Sequence, residues 1–137
     1  MALALPRDMI DEMIAHARED APNECCGIIA GAGGRPTKLY RMRNAAEKAY
    51  LPYRYEMDGK ELLGLIRELD DRDEEFFVIY HSHTATEGYP SPTDVRFAAN
   101  WPDPYYVLVS LMDPTQPTVR AFRIVDGEVT EEPLEIA

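Results

Sequence analysis

FFVIYHSHTATEGYPSPTD, residues 76–94, joins an apolar run to two histidines and then to a polar loop. The β-branched and aromatic residues 76–80 predict a buried strand. Because side chains alternate along a strand, His81 and His83 should project to the same side while Ser82 points to the other. Two imidazoles that converge on one point at the end of a strand suit a metal ion.

Asp94 is the third candidate ligand, since imidazole nitrogen and carboxylate oxygen together suit a borderline divalent ion such as zinc. Catalytic zinc sites commonly use three protein ligands and keep a fourth position for water. Non-haem iron also uses two histidines and one carboxylate, so the ligand set alone leaves the metal open. Zinc is the metal that we expect.

The segment from Ser91 to Asp94 has a second interpretation, as the start of a helix. Ser91 would be the N-cap, Pro92 would take the first helical position, and Asp94 would be the acid of a capping box. Without the histidines, this would be the favoured explanation of both polar residues.

With the histidines, the spacing resembles the JAMM (MPN+) metalloprotease motif: His81-Ser82-His83, seven residues, Ser91, two residues, Asp94. HSHTATEGYPS and the later segments YVLVS and FRIVDGEVTEEP are similar to the actinobacterial Mec-type hydrolases. Many JAMM relatives have proline after the second histidine, whereas this chain has Thr84, as Mec-type hydrolases do. The resemblance implies that His81, His83 and Asp94 hold one Zn²⁺ and that Ser91 stabilises the oxyanion of a tetrahedral intermediate.

The general base is the remaining part of the expected site. Metal-assisted hydrolysis needs a group that takes a proton from water and gives it to the leaving amine. Sequence spacing leaves four glutamates open for this role, namely Glu24, Glu74, Glu75 and Glu87. The resemblance selects Glu24, because PNECCGIIAG (residues 22–31) is similar to the segment that carries the catalytic glutamate in the JAMM family.

The resemblance also implies a substrate, a small ubiquitin-like sulfur-carrier protein whose C-terminal Gly-Gly tail bears the cysteine that the enzyme releases during cysteine biosynthesis. Two alternatives stay open at this point. One is a JAMM protease that processes another ubiquitin-like tail, and the other is a non-catalytic MPN scaffold that only binds partners. A homodimer also stays open.

Composition limits the class of protein. A chain of 137 residues can form one domain, residues 1–137, with a core of its own. The net charge of −11 argues against nucleic acid and a membrane surface as partners. There is no apolar stretch of 18 residues and no signal-peptide pattern, so we expect a cytoplasmic protein. The adjacent Cys25 and Cys26 should be reduced and partly buried.

Hydrophobic periodicity predicts an α/β fold, a mixed β-sheet with helices packed on it. The resemblance specifies this as the single-domain MPN fold, which is cytidine-deaminase-like in shape. A deaminase itself is excluded because its His-x-Glu and Pro-Cys-x-x-Cys signatures are missing. We expect helices over residues 6–19, 58–69 and 91–100, strands over 24–30, 37–43, 53–55, 76–80, 105–111, 119–124 and 128–130, and an exposed His16.

Overall fold

The computed structural model of the protein describes residues 2–137. Its α-helices are α1 (Arg7–Asp20), α2 (Gly59–Asp70) and α3 (Pro92–Ala98), and a 3₁₀ turn covers Lys48–Tyr50. Its strands, in chain order, are β1 (Leu3–Leu5), β2 (Cys26–Ala32), β3 (Arg35–Met42), β4 (Glu75–His83), β5 (Tyr105–Ser110), β6 (Thr118–Val125), β7 (Glu128–Glu132) and β8 (Leu134–Ile136). All three predicted helices are present within one or two residues of the expected bounds.

Strand β4 lies inside a six-stranded mixed sheet of order β3-β2-β4-β5-β6-β7. It runs antiparallel to β2 and parallel to β5, and His81 lies opposite Cys26 of β2 and Leu108 of β5. The apolar run ends at Tyr80, but the strand continues to His83, because the ladder with β5 extends to that residue. Both histidines are therefore held by strand pairing on the inner part of the sheet, where strands are least free to shift.

The sheet is covered on both faces. Helix α1 packs its apolar stripe, which includes Met13 and Ala17, on one face together with β1. Leu65 and Leu69 of α2 and Ala98 of α3 belong to the core on the other face. The alternation of apolar side chains along β2 and β5 supplies both cores, as expected for strands that are buried on two sides.

His16 is buried, with 4% of its surface exposed, so the prediction of an exposed histidine is wrong. Its Nδ1 lies 2.7 Å from the hydroxyl of Tyr80, and its Nε2 lies 3.3 Å from Asp20. Helical spacing places His16 at the border of the apolar stripe of α1, but the fully buried Tyr80 extends to it from the sheet. A polar tip on an aromatic ring gives a histidine a partner inside a core.

The short strand predicted at Tyr53 and Tyr55 is also wrong. These residues follow the 3₁₀ turn as an irregular segment that leads into α2. Tyr55 is buried and Tyr53 is 76% exposed, so the alternation that suggested a strand is present. The backbone there is fixed instead by hydrogen bonds to the side chain of Asn44. Strands β1 and β8, which pair in parallel, were not predicted, because three residues are too few to show a period.

The expectations for the cysteines and for the hairpins are confirmed. Cys25 and Cys26 are free and buried. β2 and β3 form an antiparallel hairpin, and β6 and β7 form another through Asp126-Gly127, where both residues have positive φ. Among residues 2–137, no helix has the combination of length and apolar character needed to cross a membrane.

Candidate metal centre

His81 and His83 bring their Nε2 atoms to within 3.3 Å of each other at the end of β4. Both side chains are buried, with exposures of 1% and 6%. The Nδ1 of His83 donates to the backbone carbonyl of Glu87 at 2.9 Å, which leaves its Nε2 lone pair free to face the site. A carbonyl behind an imidazole is the usual way in which a metal-binding histidine is oriented.

Asp94 joins the two histidines from the first turn of α3. One oxygen, Oδ2, lies 3.0 Å from Nε2 of His81 and 3.1 Å from Nε2 of His83. The same oxygen accepts a hydrogen bond from the backbone N–H of Ser91 at 2.9 Å, while Ser91 Oγ accepts from Asp94 N at 3.1 Å. The capping box predicted as an alternative is therefore present in full, and Asp94 serves it while it faces the histidines.

The charges of this cluster support one another. Burial acts to raise the pKa of Asp94, but its electrostatic interaction with His81, its hydrogen bonds to both histidines and its bond from the Ser91 N–H hold that pKa well below its usual range. Burial acts to lower the pKa of His83, but its hydrogen bonds to Asp94 and to the Glu87 carbonyl outweigh burial and raise that pKa. The site therefore favours a negative carboxylate beside positive charge.

The donor set fits a divalent metal ion. Since Nδ1 of His83 donates to a carbonyl, the Nε2 of a neutral His83 is an acceptor that faces a carboxylate oxygen, and only a proton or a cation relieves that contact. Tetrahedral zinc with bonds of about 2.0–2.1 Å separates its ligand atoms by roughly 3.3–3.4 Å. The three distances of 3.0–3.3 Å between His81, His83 and Asp94 are within a few tenths of that value.

Glu24 lies beside this triangle, just before β2 begins. It is 4% exposed, and one of its oxygens comes within 4.8 Å of the ligand nitrogens of His81 and His83. Burial raises its pKa to about 8, a shift that Asp94 reinforces and His83 opposes. Its Oε1 has no hydrogen-bond partner among residues 2–137. Glu24 could itself be a ligand, but Asp94 lies closer to both histidines, which leaves Glu24 at a distance that a water molecule can bridge.

Three contacts of the site were missed by sequence reasoning. The ring of Tyr55 packs on the ring of His81, with centroids 4.4 Å apart, and covers the metal centre from the side of α2. Ser82, between the histidines, points away from them as predicted, and its Oγ accepts from the backbone N–H of Cys25, next to Glu24. Asn44 donates to the carbonyl of Glu24. No period or motif in the sequence signals these contacts, since all three are made across distant segments.

Curated relatives match almost the whole chain. A CysO-cysteine peptidase of Mycobacterium tuberculosis is 48% identical over 136 residues, which cover 98% of this chain and 90% of that protein. A desampylase of Haloferax volcanii is 32% identical over 114 residues, which cover 79% of this chain and 80% of that protein. A probable TtuB-protein conjugate cleaving protease of Thermus thermophilus is 30% identical over 130 residues, which cover 93% of this chain and 80% of that protein.

Solved structures and a family model give the same assignment and confirm both the resemblance and the α/β fold predicted from the sequence. A solution structure from Desulfitobacterium hafniense has a TM-score of 0.84 and 30% identity, and covers 100% of this chain and 93% of its own. A JAB1/MPN domain protein from Archaeoglobus fulgidus has a TM-score of 0.63 at 14% identity, with 97% of each chain covered. Residues 6–125 match the family model described as prokaryotic homologs of the JAB domain, and the chain belongs to that family.

Proposed function

We propose that residues 1–137 form one MPN+ (JAMM) domain that hydrolyses the bond between cysteine and the C-terminal glycine of a ubiquitin-like sulfur-carrier protein. The observation that carries the hydrolase is the convergence of His81, His83 and Asp94 within 3.0–3.3 Å, beside a buried glutamate with an unpaired oxygen. The substrate rests on the 48% identity to the CysO-cysteine peptidase.

His81, His83 and Asp94 are the proposed ligands, and Zn²⁺, one per chain, is the proposed metal. Bound there, zinc would supply a Lewis acid for the scissile carbonyl and make water acidic enough to react near neutral pH, with a pKa of roughly 7 in place of about 15.7. The ladder of β4 holds the two imidazoles and the cap of α3 holds the carboxylate, so the three ligands need little rearrangement to bind the ion.

Glu24 is the proposed general base. Its carboxylate takes a proton from the attacking water and passes it to the leaving nitrogen of cysteine, which then departs as a free amine. Burial raises the pKa of Glu24 to about 8 in the metal-free protein, and a cation bound beside it would favour the ionised carboxylate that this role needs. Because Oε1 has no partner among the described residues, this oxygen can accept that proton without first breaking another hydrogen bond.

Ser91 is the proposed donor to the oxyanion. Its Oγ already accepts from Asp94 N, so the lone pair is used by the cap while the hydroxyl hydrogen remains available to the substrate. Removal of one such donor typically costs on the order of 10²–10³ in rate. The cap and the catalytic role of Ser91 are therefore compatible, each using a different part of the hydroxyl.

The test measures the intact mass of a cysteine-loaded carrier after incubation with zinc-loaded enzyme, with the Glu24→Gln variant, or with enzyme and chelator. Loss of one cysteine residue should occur only with the zinc-loaded wild type, and Glu24→Gln should bind zinc equally while the rate falls by on the order of 10²–10⁴. Near-normal turnover by Glu24→Gln would remove Glu24 from the mechanism.

A second candidate function has its own support, because two relatives are a desampylase and a probable TtuB-conjugate protease. The enzyme would then cleave a conjugate between a ubiquitin-like protein and another protein. Incubation with such a conjugate separates the two substrates. If only the conjugate is cut, the same zinc chemistry stands and the cysteine-loaded carrier is the wrong substrate.

The proposal includes partners and a location. The carrier would present its extended Gly-Gly tail to the metal centre, and nucleic acid and membranes are not partners. For a homodimer, the edge strands β3 and β7 are the places where a second copy could extend the sheet. Two free, buried thiols fit a reducing compartment, and the cytoplasm is the proposed location.

A further inference from the structure

Asn44 lies in the segment between β3 and the 3₁₀ turn, and its side-chain amide makes every hydrogen bond that it can make. The Nδ2 group donates to the carbonyls of Glu24 at 3.0 Å and Arg54 at 2.9 Å. The Oδ1 atom accepts from the backbone N–H of Ala46 at 3.1 Å and of Glu56 at 3.2 Å. An amide has two N–H donors and two acceptor positions, so this side chain is saturated.

The bond to Glu24 falls on a residue that the sheet does not hold. Strand β2 begins only at Cys26, so strand pairing does not fix the backbone of Glu24. Its N–H donates to the carbonyl of Leu51 at 2.8 Å, and its own carbonyl accepts from Asn44. Since Oε1 of the Glu24 side chain has no partner among residues 2–137, the carboxylate is placed through its backbone, by these two bonds and by the bond from the neighbouring Cys25 N–H to Ser82 Oγ.

The other bonds of Asn44 enclose Tyr55, because the carbonyl of Arg54 and the N–H of Glu56 lie on either side of it. The ring of Tyr55 packs on His81, with centroids 4.4 Å apart and planes 30° apart. One amide thus fixes both the backbone of the proposed base and the ring that covers a proposed metal ligand. No other residue in the described chain contacts both segments through hydrogen bonds of its side chain.

We propose that Asn44 is a positioning residue, which acts through Glu24 by holding that backbone against the segment that carries Tyr55. This inference rests on the proposed function, in which Glu24 is the base. A displacement of about 1 Å in a catalytic group can cost on the order of 10²-fold in rate. The two N–H donors of Asn44 are therefore the part of the side chain that matters for turnover.

One variant tests the donors alone, and a second tests the whole side chain. Asn44→Asp keeps the acceptor for Ala46 and Glu56 but sets a carboxylate against two carbonyls, whereas Asn44→Ala removes all four bonds. Both should lower kcat by about 10- to 100-fold, with KM within about threefold of the wild-type value and zinc content unchanged. Asn100→Ala, at an exposed asparagine two residues beyond the end of α3, is the matched control and should keep the wild-type kcat.

A double-mutant cycle then asks whether Asn44 acts through Glu24. In the Glu24→Gln background, Asn44→Asp should change the residual rate by less than about threefold, since the base that it positions is already gone. If the two losses multiply, or if Asn44→Asp alone has wild-type kcat, the inference is wrong. The cycle is measured on whichever ubiquitin-like substrate the wild type cleaves, so that a wrong carrier does not affect it.

Hydrogen exchange provides a readout without turnover. The peptides that contain Glu24 and Tyr55 should exchange faster in Asn44→Asp than in the wild type, and Asn100→Ala should leave them unchanged. Unchanged exchange at Glu24 in Asn44→Asp would overturn the inference even if the enzyme is active. If the wild type shows no hydrolysis but exchange is faster in Asn44→Asp, the proposed function is wrong while the structural role of Asn44 at Glu24 stands.

Discussion

Replacement of Glu24 by glutamine should stabilise the metal-free protein increasingly as pH rises above about 4.5, while it removes the proposed base. Glu24 is 4% exposed, and burial raises its pKa from 4.5 to about 8. Between these two values the folded state holds a proton that the unfolded chain has released. The free energy of unfolding of the wild type therefore falls as pH rises from about 4.5 to about 8 and levels off above that. Glutamine does not titrate, so the Glu24→Gln variant should not lose this part of its unfolding free energy as pH rises.

The size of the effect follows from the shift. One pKa unit corresponds to about 1.36 kcal/mol, so the rise in the pKa of Glu24 from 4.5 to about 8 corresponds to about 5 kcal/mol of unfolding free energy. Between pH 5 and pH 8 the wild type should lose about 3 to 4 kcal/mol of unfolding free energy relative to Glu24→Gln. The cost of burying an amide in place of a carboxyl is the same at both pH values and cancels from this difference.

Urea unfolding of both proteins in the presence of a chelator, at pH 5 and at pH 8, measures the difference directly. Glu87→Gln is a suitable control because Glu87 is exposed in the loop after β4. If the gap between wild type and Glu24→Gln stays constant within about 1 kcal/mol over that range, Glu24 titrates normally and its burial costs nothing, which would refute the reasoning.

Three further predictions concern other parts of the structure. Ser91→Ala should cost on the order of 10²–10³ in kcat with zinc retained, and about 1 kcal/mol of stability because α3 loses its cap; an unfolded variant would leave only the cap as the role of Ser91. Gly27→Ala should lower the melting temperature sharply, because its Cβ would lie 2.2–2.4 Å from the ring and hydroxyl of the buried Tyr80, whereas Gly59→Ala, with open space around it, should not. Equal melting temperatures would contradict the clash. Burial lowers the pKa of His16, an effect that Asp20 opposes, so the unfolded state binds more protons below pH 6.5 and the free energy of unfolding should fall on acidification. Chemical unfolding of His16→Gln should show a smaller fall, and a pH dependence identical to that of the wild type would exclude His16 as its source.

Much of the fold could be predicted because its elements follow local rules. The apolar stripe of α1, the alternation of β2 and the Asp126-Gly127 turn each show a period or a turn signal within a few residues, and the structure contains each of them. His81 and His83 could be placed on one side of a strand because the period of a strand is two. The local sequence pattern was enough to predict these elements because neighbouring residues determine their geometry.

The wrong predictions concern residues whose burial or backbone conformation is set by residues far away in the sequence. Helical spacing alone makes His16 a border residue, and only Tyr80, 64 positions along the chain, makes it a buried one. Tyr53 and Tyr55 alternate like a strand, but the side chain of Asn44 takes the backbone bonds that a neighbouring strand would need. The pairing of β1 with β8 joins the two ends of the described chain, which no local window contains.

The candidate site was predictable in its residue types, and its geometry came only from the structure. Residue type and spacing made His81, His83 and Asp94 candidate metal ligands, the resemblance selected them over a helix cap alone, and the fold brings them within 3.0–3.3 Å of one another. The choice of Glu24 needed the family, since four glutamates were open by spacing. Its burial beside the histidines arises from the pairing of β2 with β4, which brings Cys26 opposite His81.

The three proposed ligands are not held with equal firmness. His81 is paired with strands on both sides and His83 is paired with β5, whereas Asp94 lies on a seven-residue helix that depends on its cap. Partial unfolding of α3 should therefore remove the Asp94 carboxylate from the site while both imidazoles stay in place. A bound ion would then be lost from the side of the site that α3 covers. Thermal inactivation would begin as loss of zinc from an otherwise folded enzyme, and added zinc would slow it. The short helix, rather than the sheet, would set the working lifetime of the catalyst.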